Sequence, residues 1–106
     1  MFGLFGTKNY ENLSGREFKE KFMATPGAVL IDVRTPGEFR SGSIKGARNI
    51  DIMSPSFATT IDSLDKDKAY FMFCRTGNRS GQACNYMAKK GFKVYNLAGT
   101  PNDWPA

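Results

Sequence analysis

The apolar run Ala-Tyr-Phe-Met-Phe at 69–73 ends in a cysteine, Cys74, and polar residues follow at once: Arg75, Thr76, Gly77, Asn78, Arg79 and Ser80. A helical pattern then begins. A thiol placed where a buried strand meets a helix start faces unsatisfied backbone N–H groups and the positive end of the helix dipole. Gly77 permits a positive φ and Asn78 tolerates one, so successive N–H groups can turn inward as an anion-binding nest. Thr76 and Ser80 add hydroxyl donors, and Arg75 and Arg79 add permanent positive charge. A free thiol has a pKa of about 8.5, and such surroundings bring it to roughly 3.5–7.5. The loop therefore favours a thiolate without a general base, and the same donors can hold an anionic substrate against the sulfur.

No base of the usual kind is available, because the chain has no histidine. Cys–His and Ser–His catalytic pairs are excluded. The two cysteines, Cys74 and Cys84, lack metal-ligand spacing, so no metal site is expected. Cys84 falls on the apolar face of the following helix with Ala88 and is read as core packing. A redox pair in which Cys84 resolves an oxidised Cys74 is the weaker reading.

The elements that must position Cys74 can be read around it. Residues 12–27 predict a helix capped by Ser14 with Glu17 completing a capping box, an apolar stripe at Phe18 and Phe22, and a stop at Pro26–Gly27. Residues 28–34, Ala-Val-Leu-Ile-Asp-Val-Arg, predict a strand buried on both faces. Thr35, Pro36 and Glu38 then predict a short capped helix. A shorter strand is expected at 47–53, and a helix beginning at Ser54–Pro55 and carrying Phe57, Ile61 and Leu64. The strand ending at Cys74 comes next, then a helix from Ser80 to Lys90 closed by Gly91, and a last strand at 93–99. Trp104, in the tail, is expected to pack on the core. Strands alternating with helices imply a parallel sheet covered on both faces, and ligands in such sheets bind beyond the strands' carboxyl ends, where Cys74 lies.

The 106 residues suit one domain, 1–106, with a single modest core. The net charge of +5 favours anionic partners, but no basic run is interleaved with aromatics, so a nucleic-acid module is not expected. No stretch is long enough to span a membrane, and the N-terminus makes a poor signal peptide, so a cytoplasmic protein is expected. No long exposed apolar stripe stands out, which favours a monomer.

Three segments together resemble the single-domain rhodanese sulfurtransferases over about residues 12–104. They are Ile-Asp-Val-Arg-Thr-Pro-Gly-Glu-Phe-Arg-Ser-Gly-Ser-Ile-Lys-Gly-Ala-Arg-Asn-Ile at 31–50, Phe-Cys-Arg-Thr-Gly-Asn-Arg-Ser at 73–80, and Asn-Leu-Ala-Gly-Thr-Pro-Asn-Asp-Trp at 96–104. The resemblance implies a three-layer α/β fold, with a central, mostly parallel five-stranded sheet and helices on both faces. It implies that Cys74 takes a sulfane sulfur from a small anionic donor such as thiosulfate, carries it as a persulfide, and passes it to cyanide, a thiol or a sulfur-relay protein. No cofactor is implied. In this reading the N–H groups of Arg75 to Arg79 stabilise the thiolate and the persulfide, while Arg75 and Arg79 seat the donor. Related phosphatases place five residues between cysteine and arginine, whereas four separate Cys74 from Arg79. The shorter loop makes a smaller cradle, suited to a sulfur atom. Ser43 stands where the family often has histidine, and Ala98 where a glycine is common. Asp32, Arg34 and Glu38 are read as pairing to fix the turn after their strand. The alternative function is a binding or regulatory module on the same fold with little turnover.

Overall fold

The computed structural model describes residues 10–105. Most of the N-terminal stretch read above as a poor signal peptide lies outside the described residues. Five strands form one sheet: β1 (Glu11–Leu13), β2 (Val29–Asp32), β3 (Arg48–Asn49), β4 (Ala69–Phe73) and β5 (Lys93–Leu97). Their spatial order is β1-β5-β4-β2-β3, and every pairing is parallel. The crossovers are carried by α1 (Gly15–Ala24), α2 (Pro36–Ser41), α3 (Phe57–Asp62) and α4 (Asn78–Lys89).

Side chains alternate across the central strands into two cores. Tyr70 and Met72 join Ile31, Val94 and the α4 residues Ala83, Cys84 and Met87 on one face. Phe71 and Phe73 join Leu30, Leu97 and the α1 residue Phe18 on the other. That is why β4 reads as unbroken apolar sequence: both of its faces are covered. Trp104 closes the second core with edge-on contacts to Phe18 and Phe22, at 6.0 and 5.7 Å between ring centroids.

Both capping boxes form, Ser14 with Glu17 and Thr35 with Glu38. Several boundaries differ from the sequence reading, as the first helix starts at Gly15 and the first and last strands of the reading end at Asp32 and Leu97. The third strand keeps only Arg48–Asn49, because Asp51 turns the chain by accepting the Met53 N–H at 2.8 Å. Ser54 and Pro55 build a turn before α3 instead of its first residues, with the Ser56 N–H donating to Ser54 Oγ. Helix α4 begins at Asn78, two residues earlier than expected. Asn12 and Leu13, read above as the start of the first helix, belong instead to β1, which has no apolar signature of its own. It is a three-residue edge whose pairing with β5 supplies its structure.

Candidate active site

Cys74 directly follows β4, and the chain from Arg75 to Gly77 curls around its sulfur before α4 begins. Cys74 Sγ accepts hydrogen bonds from the Gly77 N–H at 3.1 Å, the Ser80 N–H at 3.4 Å and the Ser80 hydroxyl at 3.3 Å. Burial alone pushes this thiol up. The Ser80 hydroxyl and the N–H groups of Ser80, Thr76 and Gly77 outweigh it, and the net shift is downward. These donors favour the anion, because each interacts more strongly with S⁻ than with SH.

Gly77 makes the curl possible. Its φ is +96°, and a Cβ there would lie 2.9 Å from the Leu97 carbonyl oxygen. The loop thus lies directly against the carboxyl end of β5. Asn96, buried in β5, donates from Nδ2 to the Gly77 carbonyl at 3.1 Å and to Asn12 Oδ1 of β1 at 2.8 Å. The loop backbone is therefore fastened to two neighbouring strands.

The arginines behave differently from the expectation that both face the donor. Arg79 makes two hydrogen bonds to Glu38, at 2.8 and 3.0 Å. Arg75 extends outward, its side chain 72% exposed, with only a 3.9 Å approach of Nε to Glu38. Arg75 is the exposed cation at the rim, and Arg79 is a strut. The main causes of the thiol's downward shift are the N–H groups and the hydroxyl that donate to it. Thr76 and Asn78 are exposed, while Ser80 is fully buried against the sulfur.

Asp32 and Arg34 pair as the sequence suggests. Arg34 donates to both Asp32 oxygens, at 2.7 Å in its shortest bond, and to the Gly42 carbonyl. Ser43 donates to Asp32 Oδ2 at 2.8 Å, so the residue at the family's frequent histidine position ties down a loop. Glu38 departs from that local role. Its capping box accounts for it fully in sequence terms, so nothing local signals the second attachment to Arg79. The contribution of Asn96 was likewise absent from the sequence reading, since a lone asparagine in a strand carries no pattern.

Cys84 lies in the core on the inner face of α4, and burial pushes its thiol far above the ordinary range. Both cysteines are free. A buried, protonated thiol is a poor resolving nucleophile. Among the described residues, no three of histidine, cysteine, aspartate or glutamate gather as a metal site, and no helix is long and apolar enough to cross a membrane.

The family model of the rhodanese-like domain matches residues 14–106. The chain belongs to the rhodanese-like family. It is 36% identical over 94 residues to a putative sulfurtransferase, YtwF, of Bacillus subtilis, covering 89% of each chain. It is 34% identical over 98 residues to the thiosulfate sulfurtransferase GlpE of Ectopseudomonas mendocina, covering 92% of this chain and 86% of that one. The fold matches a rhodanese-like domain protein from Staphylococcus aureus with a TM-score of 0.76 at 25% identity, over 90% of this chain and 91% of that one. The five-stranded parallel sheet with helices on both faces is thus the rhodanese-like fold, and Cys74 stands at its β4–α4 loop.

Proposed function

We propose that the protein is a sulfurtransferase that uses Cys74 as its nucleophile and thiosulfate or a similar sulfane-sulfur anion as donor. The single observation that carries this reading is the convergence of three hydrogen bonds on Cys74 Sγ. They favour the thiolate over the thiol in a chain with no histidine to act as base.

In the first half-reaction the Cys74 thiolate attacks the sulfane sulfur of thiosulfate. The S–S bond of the donor breaks, its electron pair leaves on sulfite, and Cys74 carries a persulfide. Arg75 at the rim attracts the doubly charged donor. The N–H groups of the loop can follow the negative charge onto the outer sulfur. In the second half-reaction an acceptor thiolate or cyanide attacks the outer sulfur, and the Cys74 thiolate returns. A covalent cycle of this kind gives ping-pong kinetics.

A binding module without turnover has no use for a buried sulfur with three hydrogen-bond donors on it, so the catalytic reading is favoured. The test is intact mass before and after thiosulfate, for the native chain and for Cys74→Ser. A gain of one sulfur atom that requires Cys74 is expected. If the native chain gains none, the sulfurtransferase reading fails.

A further inference from the structure

A cleft of about 730 Å³ opens beside the active-site loop, with Arg75 on its wall. Thiosulfate occupies only a small part of such a volume, whereas clefts of roughly 300–1,000 Å³ take molecules many times larger. The cleft has a definite charge. Lys19, Lys45 and Arg75 line it, and no carboxylate residue does. The nearby acids are committed elsewhere: Asp103 accepts from the Thr100 N–H at 2.8 Å, and Glu38 holds Arg79. Arg34 also lines the cleft, but Asp32 neutralises it. Lys45 is exposed and forms no ion pair among the described residues. Lys19 is fixed in place by donating to the Pro105 carbonyl at 2.7 Å, with its ammonium 5.7 Å from the Trp104 ring centre. Trp104 supplies an apolar wall, itself braced by Phe18 and Phe22.

We infer that this cleft is the binding site for the sulfur acceptor, and that the acceptor is a small thiol carrying at least two negative charges. The inference rests on the proposed sulfurtransferase activity. Its charged groups sit near Lys19 and Lys45, its apolar portion lies on Trp104, and its sulfur reaches past Arg75 to the loop. The step balances without any further reactant. The acceptor thiolate attacks the outer sulfur of the Cys74 persulfide, a new S–S bond forms, and the old one breaks with its electron pair returning to Cys74. The products are the acceptor persulfide and the Cys74 thiolate.

Two isosteric probes test this: acetyl-Cys-Asp-Asp and the neutral acetyl-Cys-Asn-Asn amide. Persulfide-loaded protein is discharged with each and followed by intact mass. Lys45→Glu is expected to slow discharge by the acidic probe about five- to tenfold at low salt while leaving the neutral probe within about twofold. The difference should shrink at high salt. Equal effects on both probes, or none on either, overturn the inference while leaving the sulfurtransferase reading intact. A binding measurement separates the two in the other direction. Trp104 is the chain's one tryptophan, so its fluorescence reports on the cleft. Titrating Cys74→Ser with the S-methylated acidic probe should give a saturable change that Lys45→Glu weakens. Absence of that change overturns the inference even if thiosulfate loads Cys74.

Discussion

Glu38 and Arg79 are 41 positions apart in sequence and share two hydrogen bonds across the mouth of the site, at 2.8 and 3.0 Å. The same carboxylate caps α2 through Thr35, so it joins the helix after β2 to the helix after Cys74. The Arg79 guanidinium is the main cause that lowers the Glu38 carboxyl, to about 2. Its folded pKa lies below the ordinary 4.5, so its contribution to stability is complete above that value and is lost as pH falls toward 2. Glu38→Gln should lower the melting temperature at pH 7 by several degrees, about 4–8 °C per kcal/mol lost for a domain of this size. It should also flatten the fall in melting temperature between pH 4.5 and pH 2 relative to the native chain. An unchanged acid profile would show that the pair does not brace the loop.

Ser80→Ala removes the hydroxyl that donates to Cys74 Sγ and leaves the thiolate less stabilised. The Cys74 pKa should rise toward that of an ordinary thiol. Alkylation rate against pH, measured by intact mass, should move its midpoint upward and slow the reaction at pH 7 several-fold. Melting temperature should change little by comparison.

Gly77→Ala meets two obstacles, a positive φ and the Leu97 carbonyl. Backbone strain of this kind costs on the order of 1–3 kcal/mol before the steric conflict is added. The variant should lose the loop's shape, and with it thiosulfate-dependent mass gain, even where circular dichroism shows the sheet intact.

Cys84→Ala should leave persulfide formation and the alkylation profile of Cys74 unchanged, with a stability loss of about 1 kcal/mol for one buried group. Iodoacetamide should modify one cysteine in the folded protein and two in denaturant. A Cys74–Cys84 disulfide after mild peroxide would contradict the buried position of Cys84.

Phe18 is fully buried against Phe71 and Trp104, with ring centroids 5.4 and 6.0 Å away. Phe18→Ala should cost about 3–5 kcal/mol, read as a lower midpoint in urea. Because Trp104 also lines the basic cleft, the same variant should alter tryptophan fluorescence.

Much of the site was legible because its signals are local. Cys74 marks the end of a two-faced apolar strand, Gly77 marks a turn that needs a positive φ, and both capping boxes sit within four consecutive residues. Strand β1 was not legible, since an exposed three-residue edge takes its conformation from hydrogen bonds to β5 and not from its own composition. The end of β3 was not legible either, because an Asp51 side-chain turn overrides an apolar pattern.

By itself the sequence determined the alternating α/β order, the place of Cys74 at a strand end and the loop that surrounds it. Those features depend on period, capping and backbone conformation, which neighbouring residues decide. Only the tertiary structure decided the partner of each charge. It turned Arg79 inward to Glu38, left Arg75 and Lys45 facing solvent, and fastened Gly77 to Asn96. Ion pairs and close backbone approaches join residues distant in sequence, so their geometry is set by how the elements pack.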